Sequence, residues 1–401
     1  MLIRLAIRNL LRNPRRTVAV LLTIAVGTGS LFLFHGFNSG IMNQYRDNTV
    51  HARFGHGQVN TRGYREQVFE APWEHWIADW EHVGGRLKQI PGVEFLFPRL
   101  GFAALLTNGR ATVSGRGEAI DGVAESRFFT TLNVIDGRML AGEPDGILLG
   151  RGIARALDVH AGSKLTAMVQ DEHGRINRAE FTVVGVFYTG LREIDDALFR
   201  IQLAQGQKLL GTDRVESIAL GLHSVDDWDQ VEQVIAKEFP DLEAASFAIL
   251  DEVYYQHSVD WLAAQFAVIR LIILAMVVLG IFNTVSISIL DRKQEIGNLR
   301  ANGESVAEVT WLLLVEGAGL GVLGAALGIV IALGLDATFL RNGILMPAAP
   351  GITRQFRVSI EFQPAMALLA FCLGTAATLV ATALAAIRVV RMPIGEALRA
   401  V

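Results

Sequence analysis

Cysteine is almost absent from this sequence, which excludes one common way of stabilising an exported domain. The chain has 401 residues and one cysteine, Cys372, which lies in an apolar run. No disulfide can therefore form within the chain. Any exported domain must be stable through its own hydrophobic core, and a domain of about 200 residues is large enough to form one.

Charged residues are also scarce. They make up 19% of the chain, whereas hydrophobic residues make up 51%. The mean hydropathy of +0.36 is too high for an ordinary soluble protein. It is too low for a bundle of apolar helices alone, so the composition predicts a membrane protein with a sizeable soluble domain. The net charge of −4 gives no support to nucleic-acid binding.

The sequence lacks the motifs of common catalytic and metal sites. No Walker A motif occurs, since residues 162–164 (GSK) lack the upstream glycine and the Gly-Lys order of a P-loop. No GxSxG, SxxK, HExxH or paired-cysteine motif occurs either. We therefore predict that this chain is not an enzyme and holds no metal and no cofactor of its own.

Four apolar segments are long enough to cross a membrane. They cover residues 17–37, 263–290 (with a stalk), 306–340 and 364–390, and residues 341–363 form an outer loop. Arg15 and Arg16 precede the first segment, and such basic flanks face the cytoplasm. A cleavable signal peptide is the alternative for this segment, but the run is long and no clear cleavage site follows it. The pattern predicts a multi-pass membrane protein with both termini in the cytoplasm.

The two ends of the chain are predicted to lie at the cytoplasmic face. In residues 1–16, arginines at positions 4, 8, 12 and 15 recur at helical spacing opposite apolar residues. This pattern is typical of an interfacial amphipathic helix bound to membrane lipid. Residues 391–401 form a short cytoplasmic tail.

Residues 38–262 contain nearly all of the strand and turn patterns. They predict a large α+β extracytoplasmic domain, inserted between the first and second spans. Segments 164–169 and 178–187 alternate apolar and polar residues around a turn, which predicts a hairpin. Residues 73–90 predict a helix that ends before a Pro-Gly pair.

Residues 291–305 form a charged island between the second and third spans. Apolar side chains at Ile296 and Leu299 fall on one face of a predicted short helix. Gly303 is placed to end that helix, and Ser305 with Glu308 predicts a capping box for the third span. A solvated connector and a docking element for a soluble partner both fit this pattern.

The island also resembles a known motif. Its sequence EIGNLRANG is similar to the E-I-G-x-x-R-A-x-G motif of the MacB/LolC/LolE/FtsX permease superfamily, although Asn302 and Glu304 depart from the residues common there. In that family the motif is the coupling helix, which binds a groove of a cytoplasmic ATPase. The resemblance assigns ATPase coupling to the following residues: Glu295, Ile296, Gly297, Leu299, Arg300, Ala301 and Gly303.

Segments of residues 38–262 extend the resemblance over most of the chain. GHGQV, FPRL, AIDGV and ILLGRGIARALDVHAGSKL are similar in order and spacing to LolC/LolE-type lipoprotein-releasing permeases. The resemblance implies a second permease subunit, identical or homologous, and two copies of an ATPase that binds ATP and Mg²⁺. It implies mechanotransmission to a periplasmic domain, with lipoprotein cargo and a periplasmic acceptor as further partners.

The cargo is less defined than the transporter class. A LolC/LolE-like permease would extract lipoproteins at the outer ends of its first and second spans. The residues predicted to contact cargo are Leu33, Phe34, Phe37, Phe266 and Ile269. The alternatives are a MacB-like exporter of peptides or small molecules and an FtsX-like signalling module that regulates cell-wall hydrolases.

Two features of the third span need separate interpretations. Gly317, Gly321, Gly324 and Gly328 repeat every three or four residues, which predicts close helix packing. We expect packing against the fourth span, with a dimer contact as the alternative. Glu316, an acidic residue inside a span, is predicted to be structural, and the nearby Trp311 places it close to the aqueous interface. No partner for a proton relay is found in another span, which argues against an ion-coupled transporter.

Overall fold

The chain forms two compact units. The computed structural model describes residues 13–67, 72–130, 132–189, 191–252, 256–347 and 355–394. The helical unit comprises residues up to Asn43, Trp261–Leu345 and the chain from Arg357. The sheet unit comprises Gln44–Asp260 and Met346–Phe356. Most of the predicted amphipathic helix, and the tail beyond residue 394, lie outside the described residues.

Helices occur in both units and are numbered here in chain order. Their bounds are α1 Pro14–Thr49, α2 Tyr64–Gln67, α3 Trp80–Leu87, α4 Gly122–Phe128, α5 Arg151–Ala156, α6 Arg192–Asp195, α7 Leu203–Leu210, α8 Trp228–Glu238, α9 Phe247–Leu250, α10 His257–Leu290, α11 Lys293–Ala301, α12 Val306–Leu335 and α13 Pro364–Val390. Turns of π-helix cover Val50–Phe54 and Asp336–Leu340, and turns of 3₁₀-helix cover Pro72–His75 and Val225–Asp227.

Four helical segments of the described chain are long and apolar enough to cross a membrane. They are Pro14–Phe54, His257–Leu290, Val306–Leu340 and Pro364–Val390. The end of the helical unit where α10 ends and α12 begins is called the inner end below, and the opposite end is called the outer end. At the inner end, the predicted capping box is confirmed, because Ser305 Oγ accepts from the Glu308 amide and Glu308 Oε2 accepts from the Ser305 amide.

The sheet unit is built on a sheet of ten strands. Their bounds are β1 Gly57–Thr61, β2 Val93–Thr107, β3 Thr112–Ile120, β4 Asn133–Gly137, β5 Gly146–Gly150, β6 Lys164–Gln170, β7 Ile176–Tyr188, β8 Leu198–Gln202, β9 Ser217–Leu222 and β10 Leu242–Ser246. The order is β10-β1-β9-β2-β3-β8-β5-β7-β4, and β6 pairs with both β2 and β7. Two short strands, β11 Ile344–Met346 and β12 Phe356–Val358, form a separate pair.

The predicted hairpin is confirmed and forms part of the core. Strands β6 and β7 pair antiparallel from Lys164 opposite Thr182 to Gln170 opposite Ile176. Leu165, Ala167 and Val169 are buried on alternate positions of β6, as a half-buried strand requires. They belong to a large apolar cluster that also includes residues of β2, β5, β7, β8 and β9.

The predicted helix over residues 73–90 is wrong over its first half. Ile77 forms an isolated bridge with Val215, and Asp79 has a left-handed backbone with φ of 49°. Such a backbone cannot continue a right-handed helix, so α3 begins only at Trp80. The pairing of Ile77 with a distant segment is a tertiary contact that local periodicity does not reveal.

Candidate coupling site

The short helix α11 is held against the helical unit by its apolar side. Ile296 is 2% exposed and Gly297 is buried. Ile296 joins a cluster that includes Val20 of α1 and Val285 of α10, and Leu299 packs against the same cluster. The helix ends where predicted, because Gly303 has φ of 100°, a conformation that favours glycine.

A group of polar side chains lies beside α11 at the inner end. We call it the inner charge cluster; its members are Arg16, Ser288, Arg292, Glu295 and Glu316. Arg292 donates from Nε to Glu295 Oε2 at 2.9 Å and from Nη2 to Glu316 Oε1 at 3.5 Å, and its Nη1 also contacts Glu316 Oε2. Arg16 Nε donates to Ser288 Oγ at 2.6 Å. These contacts connect α1, α10, α11 and α12 through ionic and polar groups.

A small cavity lies within the inner charge cluster. All five of its members line a cavity of about 40 Å³. A polar cavity of this size can hold one or two waters, since about 10–15 Å³ of probe-occupied volume suffices for one. Burial lowers the pKa of Arg292, but its hydrogen bonds to Glu316 and Glu295 outweigh burial and raise it. Arg292 is therefore charged when it contacts the two carboxylates.

Arg300 fastens the other end of α11. Its Nη1 donates to the carbonyl oxygen of Val390 at 2.6 Å and to that of Met392 at 3.0 Å. These carbonyls lie at the C-terminus of α13, where carbonyl groups lack helical partners and the helix dipole is negative. A cation at this position caps α13 and joins it to α11.

The opposite side of α11 is open to solvent. We call this side the docking face; its members are Gln294, Asn298, Ala301, Asn302, Gly303 and Glu304, all of them exposed. Of the residues assigned to ATPase coupling by sequence, only Ala301 and Gly303 lie on this face. Glu295, Leu299 and Arg300 are partly buried in contacts within the chain, and Ile296 and Gly297 are buried.

Glu316 differs from its prediction in one respect. Glu316 is 5% exposed and has an ion-pair partner in Arg292, which the prediction did not include. Arg292 lies between two helices rather than within a span, so a search of the spans for partners misses it. A lone carboxylate near arginines at a predicted inner end was the signal that could have found this pair.

The glycine series of α12 packs within the chain. Gly317 faces Thr382 and Gly321 faces Thr378, both of α13. The other two glycines face α1 instead of the predicted fourth span: Gly324 lies against Ile24 and Gly328 against Ala25. The small residues therefore let α12 approach two helices of the same chain closely.

The residues predicted to contact cargo do not converge on one site. The rings of Phe34 and Phe266 are 6.3 Å apart and nearly perpendicular, so they join α1 to α10. Leu33 packs against a cluster with Phe32, Ala332 and Ala370, whereas Ile269 is 42% exposed and Phe37 is half-buried. A larger opening lies between α1, α10 and α13. We call it the outer cavity; it measures about 490 Å³ and is lined by Leu31, His35, Ala267, Arg270, Leu271, Leu274, Met366, Leu369, Ala370 and Leu373.

Comparison with known proteins gives two matching family models. The model described as MacB-like periplasmic core domain matches residues 17–238. The model described as FtsX-like permease C-terminal matches residues 267–394. The chain is an ABC transporter permease of the MacB, LolC, LolE and FtsX family.

Relatives of this permease share modest identity over most of its length. It is 24% identical over 330 residues to the lipoprotein-releasing system transmembrane protein LolC of Xylella fastidiosa, which covers 78% of this chain and 75% of the relative. It is 23% identical over 290 residues to the corresponding LolE of Haemophilus influenzae, covering 69% and 70%. The ABC transporter permease YtrF of Bacillus subtilis is 30% identical over 114 residues, 26% of each chain. Together with the four apolar helices, these relatives indicate a multi-pass inner-membrane protein.

The sequence predicted a short helix at this position, which the structure confirms as α11, but it did not separate the buried residues of that helix from the exposed ones. The motif residues that match the family include those that fasten α11 to the helical unit. The exposed residues Gln294 and Asn298 were not singled out, although their spacing of four places them on one helix face.

Proposed function

We propose that this permease couples ATP hydrolysis by a separate cytoplasmic ATPase to the release of lipid-anchored proteins from the inner membrane. The observation that carries the proposal is the arrangement around α11. Its inward side is fastened to the helical unit by Ile296, Arg292 and Arg300, while its docking face is exposed. A partner that moves the docking face would therefore also move the helices to which α11 is fastened.

The proposed topology places the inner end and both termini in the cytoplasm. Arg15, Arg16, Lys293 and Arg300 lie at or near the inner end, and basic residues are enriched on the cytoplasmic side. The sheet unit, most of which the MacB-like model matches, would be the extracytoplasmic domain inserted between the first and second spans. Helix α10 begins at His257, directly after the sheet unit in the chain, so it would carry movement between the inner end and that domain.

The proposed assembly contains two permease subunits and two ATPase subunits. Large apolar residues are exposed along α10, and this exposed surface is the argument for a second permease subunit. Leu271 and Leu279 are 66% exposed and Met276 is 60% exposed. Both lipid and a second membrane subunit would cover such residues, and an oligomeric permease would use part of this surface.

Lipid-anchored protein is the proposed cargo because the relatives that cover most of the chain are named as parts of lipoprotein-releasing systems. Export of peptides or small molecules is the second candidate, since the MacB-like domain model covers residues 17–238. In both cases the permease supplies no ATPase site, and ATP and Mg²⁺ would bind to the partner ATPase.

The proposal is tested by purifying the permease with its associated proteins from its native cells. We expect a cytoplasmic ATPase to co-purify in equal number, and its ATP turnover to depend on the permease. Substitution of Asn298→Arg on the docking face places a long charged side chain where the ATPase would bind. We expect the amount of ATPase that co-purifies with this variant to fall at least ten-fold, while the thermal stability of the variant is unchanged.

A matched control is Asn342→Arg, the same change at an exposed asparagine in the predicted outer loop. It should keep the ATPase bound. If the two variants retained equal amounts of the ATPase, the proposal that the ATPase binds to the docking face would be wrong. Co-purification of lipoprotein with the wild-type complex would support the cargo, and its absence under conditions where peptides are exported would favour the second candidate.

A further inference from the structure

The outer cavity contains two polar side chains without partners. Arg270 of α10 and His35 of α1 line it, and the remaining lining residues are apolar. Within the described part of the chain, neither side chain makes a hydrogen bond or an ion pair. No aspartate or glutamate lines the cavity. An arginine beside an apolar cleft with no acidic neighbour is complementary to an anionic, amphipathic ligand.

Helix geometry places these two groups at the edge of the membrane. Counting from Leu290 at the inner end of α10, Arg270 is about 30 Å away at 1.5 Å per residue. Counting from Arg16 in α1, His35 is about 28 Å away by the same rise. A hydrocarbon layer is about 30 Å thick. The two counts, made on separate helices, agree that Arg270 and His35 lie level with the outer headgroups.

The apolar part of the cavity lies on the hydrocarbon side of these groups. Leu274 is one turn inward from Arg270 on α10, and Leu373 is about two turns inward from Met366 on α13. The volume of about 490 Å³ is within the range of about 300–1,000 Å³ for small-molecule sites. A ligand held there would have an acyl chain among leucines and its headgroup beside Arg270 and His35.

We infer that the outer cavity is a binding site for a phospholipid of the outer leaflet that has a net negative headgroup, whose phosphate is bound by Arg270 and His35. The inference requires only that the chain spans the membrane, so it holds for either candidate cargo. It differs from simple snorkelling of Arg270 to bulk headgroups, because side chains of three helices line the groove that would hold the acyl chain. The site would therefore retain one lipid molecule, whereas lipids on the rest of the helix surface would exchange freely with the bilayer.

The test uses the full-length permease in nanodiscs of equimolar phosphatidylglycerol and phosphatidylcholine. After transfer to detergent, retained lipid is counted by native mass spectrometry. We expect one retained lipid per chain, with phosphatidylglycerol preferred about five-fold, the factor that one interfacial arginine supplies. Arg270→Gln should reduce this preference to about one.

Arg341→Gln is the matched control for charge, since Arg341 is exposed and lies outside the outer cavity. It should keep the five-fold preference. Ala267→Phe places a ring in the cavity and should remove retained lipid of both kinds. Ala263→Phe, one turn away on α10 and not part of the lining, should not.

Three results would overturn the inference. The first is retention without headgroup preference, which would leave snorkelling as the role of Arg270. The second is an equal preference in the Arg270→Gln variant and in wild type. The third is a dimer that retains no lipid, which would mean that a second permease subunit covers the cavity. None of these results depends on the ATPase, so they leave the proposed transport function to its own test.

Discussion

Two clusters of buried charge, one in each unit of the chain, are built differently. The cluster in the sheet unit, here called the sheet charge network, consists of Arg99, Glu118, Glu125 and Arg200. Arg99 Nε donates to Glu125 Oε1 at 2.6 Å, and Arg200 Nε donates to Glu118 Oε2 at 3.1 Å. The side chains of Arg99, Arg200 and Glu125 are at most 5% exposed. Three of its members lie on strands of the same sheet, and Glu125 is in α4.

The inner charge cluster of the helical unit is looser. Arg292 and Glu295 keep 12% and 28% of their side-chain surface exposed, whereas Arg99, Arg200 and Glu125 keep at most 5%. Its residues come from α1, α10, α11, α12 and a connecting turn rather than from one sheet. The sheet charge network therefore links strands of one sheet, whereas the inner charge cluster links separate helices. The proposed coupling requires that these helices can move relative to one another.

Removing a carboxylate from the sheet charge network should have the largest effect on stability. Glu125→Ala leaves Arg99 and Arg200 buried without one of their counter-charges. Breaking a buried pair in this way costs about 3–5 kcal/mol. We expect the sheet unit of this variant to unfold at a markedly lower temperature. Hydrogen exchange of its strands, followed in the full-length protein as the temperature is raised, measures this change.

The control for this change is Glu238→Ala, which breaks an exposed pair with Arg86 at 3.0 Å. Exposed pairs contribute about 0–1 kcal/mol. If the two variants lost similar stability, the sheet charge network would not be the rigid element of the comparison.

A change in the inner charge cluster should have a smaller effect on stability and a larger effect on coupling. Glu316→Gln removes the negative charge on α12 that Arg292 contacts. A hydrogen bond to a charged group contributes about 1–3 kcal/mol to stability. Because the link between α11 and α12 weakens, the amount of cargo released per ATP should fall at least ten-fold in the reconstituted complex. Hydrogen exchange of residues 293–301 should become faster.

Glu308→Gln is the matched control on the same helix. Glu308 is exposed and its side chain hydrogen-bonds with Ser305, and a glutamine can still accept the hydrogen bond that closes the capping box. It should leave both readouts unchanged. Unaltered coupling in Glu316→Gln, together with the expected loss of stability, would reduce the inner charge cluster to a structural role like that of the sheet charge network.

Sequence alone predicted the parts of this molecule that depend on local pattern. The apolar length of each span, the capping box at Ser305 and Glu308 and the alternation in β6 are all properties of neighbouring residues. The family motif is the basis for the proposal that α11 is a coupling helix, which stays a prediction. These features could be predicted because short-range hydrogen bonds and periodic burial decide them.

The remaining features depend on contacts between distant residues. The pairing of Ile77 with Val215, of Arg292 with Glu316, and of Gly328 with α1 each joins segments far apart in the chain. The sequence shows an acidic residue, Glu316, inside a span but does not show that Arg292 contacts it. The outer cavity was missed for the same reason, because its lining comes from three separate helices.

The smallest expected effect is the response of the sheet charge network to acid. Burial alone would raise the pKa of Glu118, but the surrounding arginines, led by Arg200 and Arg99, lower it to about 2. A carboxylate whose pKa is lower in the folded state contributes stability that is present above its unfolded pKa and lost as the pH falls toward its folded pKa. Lowering the pH from 7 to 5 should therefore not reduce the stability of the sheet unit through Glu118.

Between pH 4.5 and 3.5 the same group should cost the sheet unit about 1 kcal/mol, because the unfolded state takes up a proton there and the folded state does not. Hydrogen exchange of β3 and β8, corrected for intrinsic pH effects, measures this loss. The Glu118→Gln variant should lack it, since glutamine does not titrate. A loss that began near pH 6 in wild type would mean that the network is not sealed, and the contrast with the inner charge cluster would then fail.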